Sequence, residues 1–289
     1  MGQATTSDIS AVQSTGPLDD TDYNFLCKLV YEHSRINLGT DKRALVGARV
    51  AKRLRILKIA SYHEYCRWLK TTSGEEELGH LVDVMSTNHT NFFREEKHFE
   101  WMADKQLPDW SANHLRGETF RVWSAASSSG EEPYTLAIVL AEYFGINGGW
   151  TVDATDISTK VLAKAEKAVY ETERVAPVRP ELLRKYFQRG VGNWEGHFRV
   201  KDPLRQHVTF RHLNLFDDRY PFGHRFHLIF CRNVMIYFDR PTQETLIGKL
   251  SERLEPGGHL IVGHSESLSA IRHSLRQLQP TIYLKPGHS

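Results

Sequence analysis

Cysteine is almost missing: the 289 residues hold three, Cys27, Cys66 and Cys231, an odd number, far apart and without a Cys-x-x-Cys pair. That excludes a disulfide framework or a cysteine zinc site as the organising device and points to a reducing setting. No apolar run comes near the roughly 18 residues that a membrane span requires. Eleven prolines and 20 glycines are ordinary usage, so collagen-like and low-complexity classes drop out. Catalytic signatures are absent too. There is no His-Glu-x-x-His and no Gly-x-Ser-x-Gly, and the 15 histidines show no ligand spacing; His63-Glu64 is followed by Arg67 where a second ligand histidine would stand. No metal site is expected. Neither Gly-x-x-x-x-Gly-Lys-Ser/Thr nor Gly-x-Gly-x-x-Gly occurs, which removes the usual phosphate cradles. Residues 1–17 lack the cationic start and apolar stretch of a secretory signal, are rich in Ser, Thr and Gln, and are expected to form a flexible leader.

With 25% charged and 40% hydrophobic residues, the chain can bury one substantial core or two modest ones. Its net charge is +2, yet from Asp41 to Lys70 nine Lys/Arg face only Asp41 and Glu64, a local excess of seven positive charges. In the same stretch Val46, Val50, Leu54 and Leu57 recur at spacings of four, four and three, which predicts an amphipathic helix. Arg49, Lys52 and Arg55 fall broadly on its other side as an outward cationic stripe. A plain solvated face or a nucleic-acid contact would account for that stripe as well. Further helices are predicted before it, where Phe25, Leu26, Leu29 and Val30 follow a candidate cap at Thr21, and after it, where Leu78, Leu81, Val82 and Met85 make another apolar stripe. Residues 18–87 are therefore expected to be an all-helical domain.

From Thr119 the pattern changes. Short β-prone runs (Phe120 to Trp123, Trp150 to Ala154, Phe226 to Phe230, His259 to Val262) alternate with helical patterns such as Glu132 to Phe144 and Lys160 to Val169. Such alternation implies a parallel, doubly wound α/β sheet whose ligands lie beyond the carboxyl ends of the strands. Between Glu171 and Arg211 it lapses into a stretch with Pro177, Pro180, Gly190, Gly192 and Gly196, read as an insertion carrying a small β-hairpin.

Four constellations could carry chemistry. The run Ser124-Ala-Ala-Ser-Ser-Ser-Gly-Glu-Glu-Pro133 joins a strand to a helix through small residues that let a ligand approach the backbone. Its acids Glu131 and Glu132 would repel a pyrophosphate; they suit a ligand with a positive centre, or simply cap the helix. Asp156, at the end of the next strand, is placed to accept both ribose hydroxyls of a nucleoside, or else to cap the helix that follows. Thr87-Asn-His-Thr-Asn-Phe-Phe-Arg94 gathers amide, hydroxyl, aromatic and guanidinium groups at the helical–α/β junction, a favoured place for pockets, though turn and core roles would explain them too. Phe230-Cys-Arg-Asn-Val-Met-Ile-Tyr-Phe238 sets Arg232, Asn233 and Tyr237 beyond a buried-looking strand, where Tyr237 could equally be an ordinary half-buried tyrosine.

Taken together, Asn88-His-Thr-Asn-Phe-Phe-Arg94, Trp123 to Tyr134, Ala154-Thr-Asp-Ile157, Asn214-Leu215, Phe230 to Phe238 and Gly263-His-Ser-Glu266 resemble, in order, the blocks of the chemotaxis receptor methyltransferases, the CheR family. The resemblance runs from about Tyr23 to Leu284. It implies a Rossmann-like S-adenosylmethionine-dependent methyltransferase domain over 88–289 behind the helical domain, with a small β-subdomain inserted at about 177–208. By matched position it implies that Asn88, Thr90 and Arg94 flank the methionine end of S-adenosylmethionine, with Glu131 near the sulfonium side. Asp156 would hold the ribose, Asn214 and Leu215 would border the adenine, and Cys231 and Arg232 would close the pocket. Arg94 and Tyr237 would stand nearest the transferred methyl. The implied activity is methyl esterification of glutamates on the cytoplasmic domains of membrane chemoreceptors, giving a cytoplasmic protein with neither nucleic-acid partner nor membrane insertion. In that family the basic helix faces the receptor, and in some members the β-insertion grips a receptor's C-terminal peptide. Two other functions remain open at this point: a non-catalytic module that binds S-adenosylmethionine as a signal, and a nucleic-acid methyltransferase. The Asp/Asn-Pro-Pro-Tyr/Phe signature of adenine methyltransferases is absent, which sets the latter last.

Overall fold

The 3.6-residue recurrence of apolar side chains near the start is realised as helices Asp20–Ser34, Arg43–Leu57, Tyr62–Leu69 and Glu75–Met85 in a computed structural model that describes residues 16–115 and 117–287. The expected leader lies, up to residue 15, outside the described residues. Two compact units emerge. Among the described residues, one takes in those up to His33 and Leu38–Met85; the other holds Ser34–Asn37 and those from Ser86 on.

In the helical unit Val46, Val50 and Leu54 are fully buried, as their spacing predicts. The basic helix departs from its expected cationic stripe in one respect. Lys52 and Arg55 are exposed, but Arg49 is half-buried and its Nη1 donates to the Met85 carbonyl at 2.6 Å. The cause is angular: at 100° per residue, position 49 lies only about 60° from the buried line through 46, whereas 55 lies opposite it. Arg53, at the same offset from Val50, reaches Glu77 with two bonds of 2.7 and 2.5 Å, and the Tyr65 hydroxyl donates to the same carboxylate at 2.8 Å. Glu77 is buried, so this pair is a structural tie inside the helical unit.

The second unit is built on a seven-stranded sheet. Its strands are β1 (Phe120–Ala125), β2 (Trp150–Asp156), β6 (Val208–His212), β7 (Phe226–Cys231), β8 (Leu254–Val262), β9 (Arg276–Gln279) and β10 (Ile282–Leu284), in the order β6-β2-β1-β7-β8-β10-β9. The first five run parallel and the β10–β9 edge antiparallel. Helix Glu131–Phe144 connects β1 to β2, and Arg240–Arg253 connects β7 to β8. Phe120, Val122, Leu136, Leu140, Trp150 and Phe230 belong to one continuous core between sheet and helices.

The insertion holds one strand more than the small hairpin expected between Glu171 and Arg211, and its sheet starts before the β-subdomain bounds of about 177–208. A three-stranded antiparallel sheet forms from β3 (Val169–Glu171), β4 (Phe187–Arg189) and β5 (His197–Val200), in the order β3-β5-β4. It begins at Val169 because helix Thr159–Lys167 stops at Ala168, which turns left-handed with φ 55° and releases the chain into β3.

Candidate active site

Parallel register brings the carboxyl ends of five strands to one edge. Ala125 pairs with Thr155 on one side and Cys231 on the other, Asp156 with His212, and Cys231 with Val262. The loop after β1 is tightly wound: Ala126, Ser128 and Gly130 have φ of 65°, 49° and 95°. Only glycine serves at 130, since a Cβ there would stand 2.7 Å from the Tyr170 hydroxyl and 2.9 Å from the Ala165 Cβ. Asp156 ties this loop to the end of β2: the Ser128 N–H donates to Oδ2 at 2.8 Å and the Ser158 N–H to Oδ1 at 2.9 Å. Each carboxylate oxygen has two lone pairs, so bonds of this kind are compatible with accepting ligand hydroxyls. The Ser127 hydroxyl is buried with no hydrogen-bond partner. An acidic strand end, an unsatisfied hydroxyl and a loop of small residues fit a hydroxyl-bearing, cationic ligand such as S-adenosylmethionine.

Glu131 starts the helix after this loop. It is 0% exposed; the Ser129 hydroxyl donates to Oε2 at 2.7 Å and Arg174 stands 2.6 Å from Oε1. Through these two partners its carboxylate shapes the loop. Arg174 in turn donates to the Thr90 carbonyl at 3.1 Å, tying the 88–94 segment to the same loop, and the Ser128 hydroxyl donates to the Asn88 carbonyl at 3.3 Å. Across the sheet edge, the Leu213 N–H donates to the Asp156 carbonyl at 3.0 Å, which sets Asn214 and the buried Leu215 beside the end of β2. Asn214 Oδ1 accepts from the Phe216 N–H at 3.0 Å, a local turn that orders this corner.

Arg232 is the hub of the opposite side. Buried, it lies 3.2 Å from Glu95 and 3.3 Å from Glu132, its guanidinium covers Phe99 and Phe230 at 5.4 and 5.6 Å, and it donates to the Arg94 carbonyl. Arg94 itself is half-buried, with Nη1 donating to the His89 carbonyl at 2.8 Å. Burial pushes the Glu132 carboxyl up, against the pull of Arg232 and the Ser124 hydroxyl. For Glu95, Arg232, Asn233 and the His264 N–H outweigh burial and hold the carboxyl below its usual range. Cys231 has no exposed surface, and burial pushes its thiol well up, so it offers no thiolate nucleophile.

Glu95, His98 and His264 bring three ligand-type atoms within 4.8 Å of one another. A dication there would stand against the Arg232 guanidinium, already 3.2 Å from the Glu95 oxygen it would need. Burial also pushes the His98 imidazole down to about 4, so the ring stays neutral at ordinary pH. The group reads as part of the ion-pair hub.

The segment after β7 closes the edge. Asn233 is left-handed (φ 58°), Met235–Tyr237 makes a single 3₁₀ turn, and the Tyr237 carbonyl accepts from the Asn37 N–H at 2.8 Å. Tyr237 is half-buried and Ile236 exposed. Beyond the residues singled out in the sequence, the structure brings Glu95, Arg174 and Glu266 to this edge. Glu266 stands inside a block quoted above; nothing in the sequence marks Arg174, which lies in the insertion.

An α/β sheet with an acid at the end of its second strand and a cation-tolerant loop after its first defines the class of S-adenosylmethionine-binding methyltransferases. Residues 88–284 match the family described as "CheR methyltransferase, SAM binding domain", and residues 21–86 match "CheR methyltransferase, all-alpha domain". The chain belongs to the CheR methyltransferases. It is similar to the chemotaxis protein methyltransferase of Borreliella burgdorferi, 39% identical over 265 residues that cover 90% of this chain and 92% of that one. It is likewise 39% identical over 267 residues to those of Salmonella typhimurium (92% and 90% covered) and Escherichia coli (92% and 91%). Among the described residues no helix is long and apolar enough to cross a membrane.

Proposed function

We propose that the protein transfers the methyl group of S-adenosylmethionine to glutamate side chains of chemoreceptors in the cytoplasm, forming glutamyl methyl esters. The observation that carries this reading is the composition of the strand edge: Asp156, held by the Ser128 and Ser158 N–H groups, and small-residue backbone suited to a nucleoside. A glutamate with a pKa near 4.3 is already a carboxylate at neutral pH and needs no base. S-adenosylmethionine supplies the electrophilic sulfonium methyl. The chain's own residues have to align the two partners and exclude water, because opposite charges that cancel in the transition state react faster once desolvated. Arg94, whose backbone is anchored by Arg232, is assigned to orient the acceptor carboxylate through paired N–H donors. Tyr237 is assigned to shape the methyl pocket and hydrogen-bond within it, not to remove a proton. Asn88, Thr90, Asn214, Leu215, Cys231 and Arg232 are assigned to the walls.

Receptor docking is assigned to the outer face of helix Arg43–Leu57. Lys52 and Arg55 stand there beside Leu45 (43% exposed) and Ile56 (63% exposed), a mixture suited to an acidic, partly apolar helix surface. A receptor's C-terminal peptide is assigned to the β-subdomain. An open groove of about 1300 Å³ there is lined by Lys164, Lys167, Arg174, Arg189, Arg199 and Arg205 against Glu131, Glu166 and Glu171, with Trp194 60% exposed at its rim. The test is methyl transfer to receptor-bearing membranes by the wild-type chain and by Arg94→Ala. Loss of transfer in a folded variant is expected; near-normal turnover refutes the role given to Arg94.

A further inference from the structure

The block Gly263-His264-Ser265-Glu266 has no part in the mechanism above, yet its carboxylate organises the segment that carries Tyr237. Glu266 is 5% exposed. Its Oε2 accepts from the Asn233 N–H and the Gly263 N–H, each at 2.7 Å, and its Oε1 accepts from the Met235 N–H at 2.7 Å. Asn233 and Gly263 lie in irregular backbone and Met235 opens the 3₁₀ turn, where a first-turn N–H has no partner within the turn, and Asn233 is in the left-handed region. A buried N–H that loses its acceptor costs about 1–3 kcal/mol, so one anion holds three such groups in place. Gly263 makes the approach feasible: a Cβ there would stand 2.8 Å from Glu266 Oε2 and 3.0 Å from the Asn233 nitrogen.

We propose that Glu266 is a positioning residue for methyl transfer, fixing residues 233–237 so that Tyr237 keeps its station at the sheet edge, while Arg232 is held separately by Glu95 and Glu132. The inference rests on the assignment of Tyr237 and Arg94 to the methyl site. A carboxylate is required because both oxygens must accept. Glutamine would turn one of them into an NH₂ that faces an N–H, and aspartate falls one methylene short. Misplacement of about 1 Å costs on the order of 100-fold in rate. Ser128 and Asp156, at the other strand ends, are held by bonds that do not involve Glu266, so nucleoside affinity is spared.

The test uses the full chain carrying Glu266→Gln. At saturating S-adenosylmethionine and receptor, kcat is expected to fall about 10- to 100-fold, while adenosylhomocysteine affinity by calorimetry stays within about threefold. Amide hydrogen exchange at 233, 235 and 263 reads the segment without any reaction and is expected to quicken at least about tenfold. Gly263→Ala, which displaces the carboxylate without removing it, is expected to show the same split and serves should the first variant not fold. A folded variant with kcat within threefold of wild type, unchanged exchange, or affinity and kcat falling in parallel overturns the proposal. Absence of methyl transfer by the wild-type chain, with exchange quickened as expected in the variant, would instead count against the reading of the site.

Discussion

Replacing Asp156 probes the nucleoside end of the site in isolation. In Asp156→Ala the backbone N–H groups of Ser128 and Ser158 lose their acceptors, and a ribose would lose the anion that receives its two hydroxyls. Hydrogen bonds to a charged group contribute roughly 1.5–3 kcal/mol each, so losing both ribose bonds amounts to about 3–6 kcal/mol. That is a fall in adenosylhomocysteine affinity of roughly 10²- to 10⁴-fold. Asp156→Asn keeps the shape but turns one oxygen into an NH₂ facing an N–H, and about half the effect, roughly 10- to 100-fold, is expected. Isothermal titration with adenosylhomocysteine measures both variants, and a thermal melt verifies folding. The smaller loss in Asn than in Ala is the diagnostic feature. Binding within threefold of wild type by a folded Asp156→Ala chain would refute the reasoning.

Three more outcomes follow from particular contacts. The pair Lys52→Glu and Arg55→Glu should slow receptor methylation at low ionic strength, with the difference from wild type shrinking as salt rises; equal rates at low salt would contradict docking on this face. Arg53→Ala should destabilise the helical unit by about 3–5 kcal/mol in urea unfolding, because Glu77 is left buried with only the Tyr65 hydroxyl; a loss below 1 kcal/mol would show the pair to be dispensable. Burial pushes the imidazoles of His98, His227 and His259 from 6.5 down to about 4. Between those values the unfolded chain binds protons that the folded chain does not. Stability should therefore fall as pH drops from about 6.5 towards 4, by up to roughly 1.4 kcal/mol per pH unit for each ring, and His259→Gln should flatten the slope.

Local patterns were legible where a residue's neighbours along the chain decide its fate. Val46, Val50 and Leu54 sit on one helical face whatever they pack against, and runs such as Phe226 to Phe230 have few alternatives to a buried strand. Asp156 could be placed because a strand end is a local feature. Val169–Glu171 could not be placed as a strand: it is three residues long, continues an apolar helical pattern, and pairs with β5 more than 25 residues on. The antiparallel β9–β10 hairpin has a different reason: its strands are four and three residues long and β9 is exposed throughout, so no apolar run or alternation marks it. Among charged residues, position on a helix wheel separates Lys52 and Arg55 from Arg49 only once the orientation of the buried face is known, and Arg49 turns to the Met85 carbonyl. The ties of Arg232 to Glu95 and Glu132, of Arg174 to Glu131 and of Glu266 to residues 233–235 join segments 30 to 140 residues apart, and such spans leave no periodicity to read.

Product chemistry decides which bond the protein makes. With tritiated S-adenosylmethionine and receptor-bearing membranes, label should enter the receptor and leave it as volatile methanol on mild alkaline treatment, as a carboxylate ester requires. Label that resists alkali, or that enters nucleic acid in preference to receptor, would contradict the account.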